Sequence, residues 1–103
     1  MTSFRRVAGI NDVPDGKRIV VEVDNKKIAI FNVKGIFYAI NNTCSHRGGP
    51  LGEGSLHGTK VNCPWHGSQF DVTSGQVLGP PAFTDVESYS TKVEESGIWV
   101  ALS

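Results

Sequence analysis

Short apolar segments rich in β-branched residues alternate with turn-forming residues along this chain. Segments of this length and composition, bounded by Gly, Pro, Asn and Asp, are typical of β-strands. They predict strands at Phe4–Ile10, Arg18–Asp24, Lys27–Val33 and Ile36–Ile40. No window sustains a helical period with capping residues, so the pattern predicts an all-β protein.

Turn residues connect the predicted strands into hairpins. Asn25-Lys26 and Lys34-Gly35 join three of the first four strands into a meander, and Thr-Ser-Gly joins a later hairpin. The remaining predicted strands are Gly54–Leu56, Lys60–Asn62, Gln69–Val72, Gln76–Leu78, Val86–Val93 and Ile98–Leu102. A loop-rich insertion, about residues 42–68, interrupts this sheet system. Because long loops in a compact domain are usually functional, we expect the function to lie there.

Composition limits the setting in which this chain works. A length of 103 residues without linker or repeat predicts one domain, residues 1–103. Ten basic residues balance ten acidic ones, which argues against nucleic acid or an anionic membrane as the main partner. The sequence contains no signal-peptide pattern and no apolar run long enough to span a membrane. We therefore expect a cytoplasmic protein, in which cysteines serve metal binding or chemistry more often than disulfides.

The insertion collects the soft metal ligands of the chain. Both cysteines and all three histidines lie between Thr43 and Ser68. Cys44 and His46 form a C-x-H pair, and after sixteen intervening residues Cys63 and His66 form a C-x-x-H pair. Thiolates and imidazoles suit either iron or zinc. We interpret the third histidine, in S-L-H-G-T, as an exposed turn residue.

The arrangement of these pairs bears on the choice of metal. Structural zinc sites usually pair cysteine with cysteine and histidine with histidine within one local loop. Mixed pairs instead allow both cysteines to bind one metal atom and both histidines another, as in a Rieske 2Fe–2S centre. A zinc module therefore remains an alternative, but a disfavoured one.

The residues around these pairs carry a family resemblance. C-S-H-R-G-G-P-L and C-P-W-H-G-S-Q-F resemble the two cluster loops of Rieske proteins. The resemblance continues through Asp71 into G-P-P-A, where Pro80 belongs to a loop that covers the cluster in that family. It spans essentially the whole chain. It implies an antiparallel β-sandwich or barrel base with a small, loop-rich cluster-binding subdomain inserted at about residues 42–82.

The resemblance also implies the roles of individual residues. Cys44 and Cys63 are expected to bind the inner iron of one 2Fe–2S cluster, and His46 and His66 the outer iron. Arg47, Trp65, Ser68 and Pro80 are expected around these ligands. Because two neutral imidazoles replace two thiolates, such clusters accept an electron at about −150 to +300 mV, against roughly −400 mV with four cysteines.

Two departures from the quinol-oxidising Rieske proteins bear on the potential. Those proteins carry one further cysteine in each loop, joined in a disulfide, at the positions of Gly49 and Trp65 here. They also donate hydrogen bonds to the cluster from a serine and a tyrosine. This chain keeps the serine as Ser68 but has Phe70 in place of the tyrosine. The resemblance therefore implies a low to intermediate potential, since a hydrogen bond that stabilises the reduced cluster is lost.

The resemblance implies a soluble, monomeric one-electron carrier that connects a ferredoxin reductase with a terminal oxygenase. A complete oxygenase needs a second iron site, and three histidines cannot supply both sites. The chain is therefore expected to be an electron-transfer component and not itself an enzyme. The alternative is a small Rieske subunit of a larger redox enzyme, such as nitrite reductase or an oxygenase complex. The sequence does not identify the reductase, the acceptor or the final substrate.

Overall fold

The computed structural model describes residues 3–45, 48–65 and 67–102, and within these ranges three antiparallel sheets make up the fold. The first sheet pairs the two ends of the chain. Its strands lie in the order β1 (Phe4–Gly9), β11 (Gly97–Ala101) and β10 (Thr91–Glu94). The all-β prediction is confirmed, and the described helical residues are limited to single 3-10 turns at Ile10–Asp12 and Leu51–Glu53.

The second sheet contains the predicted three-strand meander. It consists of β2 (Arg18–Val23), β3 (Lys26–Val33) and β4 (Ile36–Asn41), with the short strand β9 (Ser88–Tyr89) added beside β4. The third sheet is a smaller meander of β5 (Ser55–His57), β6 (Lys60–Asn62), β7 (Gln69–Asp71) and β8 (Val77–Gly79).

Strand β3 lies between the two hydrophobic cores of the molecule. Ile28 and Ile30 point into a core shared with the first sheet, where Ile98 and Val100 are also buried. The alternate residues Ala29 and Phe31 enter a second core, whose other buried members are Ile40, Cys44, Leu51, Val61, Cys63, Phe70, Val72, Ala82 and Val86. Because both faces of the strand are covered, its sequence is a continuous apolar run and not an apolar–polar alternation. The second core places both cysteines against the second sheet.

Two details of the predicted strands are wrong. The β2–β3 turn consists of Asp24 and Asn25, not of Asn25-Lys26, and both residues have positive φ, of 51° and 67°. Asp and Asn tolerate this left-handed conformation better than lysine does. Lys26 already pairs with Val23 in the ladder.

The predicted strand Val86–Val93 is in fact two strands in different sheets. Ser88 and Tyr89 pair with β4, whereas Thr91 begins the strand that pairs with β11. The chain changes sheets at Ser90, whose carbonyl accepts a hydrogen bond from the Ala101 amide at 2.9 Å. An apolar pattern alone does not reveal such a crossing, since both halves remain extended.

None of the described helical turns is long or apolar enough to cross a membrane.

Candidate metal centre

The first cysteine loop, residues 44–49, is closed by its own backbone. The Cys44 amide donates to the Gly49 carbonyl at 2.9 Å, and the Gly48 amide donates back to the Cys44 carbonyl at 2.9 Å. An isolated antiparallel bridge between Thr43 and Pro50 holds the two ends together. Gly48 has φ of +76°, a conformation that favours glycine.

The second cysteine loop, residues 63–68, is closed by the same pair of hydrogen bonds. The Cys63 amide donates to the Ser68 carbonyl at 2.7 Å, and the Gly67 amide donates to the Cys63 carbonyl at 3.0 Å. Asn62 and Gln69, the flanking residues, pair as the ends of β6 and β7. Gly67 has φ of +81°, matching its counterpart in the first loop. Each loop thus holds a cysteine at the same corner of the same turn.

Both cysteine side chains are buried in one core. Cys44 is 3% exposed and Cys63 is 4% exposed. They share this core with Phe70, which is fully buried on β7. The structure therefore brings together two predicted ligands that are far apart in sequence and shields both sulfur atoms from water.

Asn42 fixes the neck of the first loop, where the chain enters and leaves it. Its backbone carbonyl accepts from the Leu51 amide at 2.7 Å, and its side-chain Oδ1 accepts from the Gly52 amide at 2.7 Å. The Arg18 guanidinium donates from Nε to the Gly52 carbonyl at 3.1 Å, which ties the neck to β2. Sequence reasoning missed Asn42. Its signal was only an asparagine beside a turn, a residue type that bonds backbone groups locally.

The proline loop, residues 80–84, is tethered to both cysteine loops. The Ala82 amide donates to the Ser68 hydroxyl oxygen at 3.0 Å. The Ser45 hydroxyl donates to the Thr84 carbonyl. Ser45 was also missed, because the pairing joins residues 39 positions apart that no local pattern connects. The proline loop is thus held against both cysteine loops, with Pro80 exposed at its start.

The remaining predicted residues divide into two groups. Trp65 lies in the second loop with 57% of its surface exposed, and Ser68 is fully buried. His46, Arg47 and His66 lie outside the described residues. The third histidine, His57, is exposed as predicted, although it ends strand β5 and does not lie in a turn.

The second cysteine loop and the proline loop carry little charge, whereas the first cysteine loop contains Arg47. From Val61 to Thr84 the sequence contains one formally charged residue, Asp71. Its carboxylate accepts hydrogen bonds from the Thr73 amide at 2.8 Å and the Thr73 hydroxyl at 2.6 Å, so it serves the β7–β8 turn.

The residues fit a Rieske 2Fe–2S cluster. Two buried thiols stand on matched loops, and the sequence places one histidine in each loop. Gly49 leaves no room for a side chain beside one of the sulfurs, since a β-carbon there would lie 2.5 Å from Cys63 Sγ. The donor set, two thiolates and two imidazoles, is the one that such clusters use.

Comparison with known proteins agrees with this geometry. Residues 3–90 match the family model of the Rieske [2Fe-2S] domain. A ferredoxin component of the naphthalene 1,2-dioxygenase/salicylate 5-hydroxylase systems of Ralstonia sp. is 34% identical over 95 residues, covering 92% of this chain and 91% of that protein.

Solved structures agree as well. The ferredoxin of carbazole 1,9a-dioxygenase from Nocardioides aromaticivorans IC177 superposes with a TM-score of 0.94 at 29% identity, covering 98% of this chain and 99% of that chain. A chain in a complex of reduced oxygenase and oxidized ferredoxin of carbazole 1,9a-dioxygenase superposes with a TM-score of 0.89 at 30% identity, covering 95% and 92%. On the match over residues 3–90 and these near full-length likenesses, the chain belongs to the Rieske [2Fe-2S] family, among the ferredoxins of dioxygenase systems.

Proposed function

We propose that this protein carries one electron at a time on a Rieske cluster held by its two cysteine loops. Cys44 and Cys63 bind the inner iron, and His46 and His66 bind the outer iron. When bound, the cluster supplies reversible one-electron chemistry, while the chain sets its potential and its access to partners. The observation that carries this proposal is the pair of matched loops, each with one buried thiol.

The protein then passes electrons from a reductase to a terminal oxygenase, as a monomer in the cytoplasm. Support comes from the relatives, which are ferredoxin components matched over nearly their whole length. One solved relative is a complex of reduced oxygenase and oxidized ferredoxin. A match over 91% of the Ralstonia protein favours a separate carrier over a subunit built into a larger enzyme.

Ser68 and Phe70 tune the potential in this proposal. The Ser68 oxygen accepts from the Ala82 amide at 3.0 Å, so its own hydrogen is available to donate to the cluster. Phe70 has no hydroxyl to donate. One donor in place of two disfavours the reduced, more negative cluster, so the potential lies toward the lower end of the Rieske range.

Phe83 is the docking side chain for the oxygenase in this proposal. It is 89% exposed, although its neighbours Ala82 and Thr84 are both tethered to the cysteine loops. An aromatic ring on a fixed backbone loses little entropy on binding, and such rings frequently dominate small interfaces. Because few charged residues lie between Val61 and Thr84, we expect contact with apolar surface of the oxygenase, with Arg47 and Asp85 adding some dependence on salt.

The first test is a potentiometric titration of the purified protein, followed by electron paramagnetic resonance. A Rieske-type signal developing near about −150 mV supports a dioxygenase ferredoxin. A midpoint well above zero would refute that function and indicate a high-potential chain. A colourless, zinc-containing protein would refute the cluster itself.

The second test measures electron delivery to an oxygenase. The probes are the terminal oxygenases of the naphthalene and carbazole systems, reduced under single-turnover conditions. Phe83→Ser should weaken delivery roughly tenfold, the cost of losing one packed aromatic anchor, at unchanged potential. Val93→Ser is the matched control, since Val93 is 51% exposed on β10 in another sheet. Equal effects of the two variants would exclude Phe83 as the docking side chain.

A further inference from the structure

The two cysteine loops meet at Gly49. A β-carbon built on this residue would lie 2.5 Å from Cys63 Sγ and 3.1 and 3.2 Å from Cγ and Cδ2 of the Trp65 ring. Gly49 is not among the glycines with positive φ, so its backbone conformation does not require glycine. Glycine is required because there is no room for a side chain. The Trp65 ring packs where the side chain of residue 49 would otherwise lie.

Trp65 is therefore in contact with the first loop although more than half of its surface is exposed. The outer part of the ring faces solvent, with 57% of the residue accessible. The inner part, at Cγ and Cδ2, lies over Gly49. Indole is the largest flat side chain, and its packing on backbone excludes water from a considerable area.

This contact connects the backbones of the two cysteines. Gly49 accepts the hydrogen bond of the Cys44 amide at 2.9 Å, so a movement of Gly49 displaces Cys44. Trp65 follows Cys63 by two residues within the second loop. A short path thus runs from one ligand to the other, through one ring contact and one hydrogen bond.

We propose that Trp65 is a positioning residue that clasps the two cysteine loops together through Gly49. The clasp holds the cysteines at a fixed separation before and after the cluster binds. Its effect on cluster retention rests on the proposed function, but its effect on the loops does not.

Hydrogen exchange of the cluster-free protein tests the clasp directly. Trp65→Ala should accelerate exchange of the Cys44 amide by roughly threefold to tenfold, in proportion to the lost aromatic packing. Trp65→Phe, which keeps a flat ring, should restore most of the protection. Leu78→Ala is the matched control, because Leu78 is 48% exposed on β8 and is also a large apolar side chain.

Iron release to a chelator supplies the second readout, on the cluster-loaded protein. Trp65→Ala should release iron faster by a similar factor, with Trp65→Phe and Leu78→Ala close to wild type. Wild-type exchange at Cys44 in Trp65→Ala, or equal acceleration in Leu78→Ala, would overturn the clasp. If the wild-type protein bound no cluster but the Cys44 amide still exchanged faster in Trp65→Ala than in wild type, the proposed function would be overturned. The clasp would remain supported.

Discussion

The two cysteine loops share their closing hydrogen bonds and the conformation of one glycine, but they differ in sequence. Both span six residues, both begin at a buried cysteine, and both place a glycine with positive φ at the fifth position. The same two hydrogen bonds close each loop. The histidine, however, stands third in the first loop and fourth in the second. The shared backbone positions the sulfurs, and the other positions are free to differ in function.

The last position of each loop makes the difference clearest. Gly49 ends the first loop and provides space for Trp65 and Cys63. Ser68 ends the second loop and provides a buried hydroxyl that binds the proline loop. The end of the first loop thus packs against the second loop, and the end of the second loop binds the proline loop. Two copies of one turn form an asymmetric site because their closing residues differ.

The largest expected effect comes from removing a thiol. Cys44→Ala and Cys63→Ala should each abolish the cluster, because each loop supplies one of only two thiolates in the chain. His46→Ala and His66→Ala should do the same. Visible absorption, iron content and electron paramagnetic resonance measure the loss.

The control for this loss is the third histidine. His57→Ala should retain full iron content and an unchanged resonance spectrum, since His57 is exposed on β5. A normal Rieske spectrum in either cysteine variant would contradict the assignment of these ligands.

The next effect separates the two reasons for glycine in the loops. Gly49→Ala places a β-carbon 2.5 Å from Cys63 Sγ, and overpacking of this kind costs about 1–3 kcal/mol. Gly67→Ala meets no atom of the described residues within 4 Å but must adopt φ of +81°, which costs about 1–2 kcal/mol. The first variant should lose most of its cluster, and the second should keep it.

Iron content and urea unfolding distinguish the two variants. As purified, Gly67→Ala should contain a nearly normal amount of iron. Its cluster-free form should unfold at a lower urea concentration than cluster-free wild type. If Gly49→Ala retained its cluster and Gly67→Ala lost it, the steric role of Gly49 would be wrong.

Much of this site follows from residue types, and the rest depends on contacts between distant segments. The cysteine–histidine pairs predict the two loops and propose the ligands from sequence, whereas the burial of Phe70 is seen only in the structure. The Ser45–Thr84 hydrogen bond was not predictable, because it joins residues 39 positions apart. The burial of both faces of β3 over residues 28–31 was likewise visible only as an apolar run that fits several folds.

A smaller effect concerns the hydrogen bonds that tune the potential. Phe70→Tyr should raise the potential and Ser68→Ala should lower it, each by roughly 40 mV, equivalent to about 1 kcal/mol for one electron. Potentiometric titration of both variants measures the shifts. Thr73→Ser, which keeps a hydroxyl on the exposed β7–β8 turn, should leave the potential unchanged. A lower potential in Phe70→Tyr would contradict the account of the missing hydroxyl.

The last predicted effect lies on β9, in the second sheet, and is confined to alkaline pH. Burial raises the pKa of Tyr89 to about 12, helped by the hydrogen bond that its hydroxyl donates to Glu87 and by the charge of that carboxylate. An unfolded tyrosine has a pKa of about 10. The native state therefore favours the neutral phenol, and this contribution to stability is complete below about pH 10 and lost between about pH 10 and 12.

Urea midpoints of the cluster-free protein across this range measure the contribution. Stability should fall as the pH rises from about 10 to 12, and Tyr89→Phe should fall less steeply because it has no phenol to ionise. Glu87→Gln should lie between the two, since it removes the carboxylate charge but leaves the burial of the ring. An identical pH slope in Tyr89→Phe and wild type would exclude Tyr89 as the source.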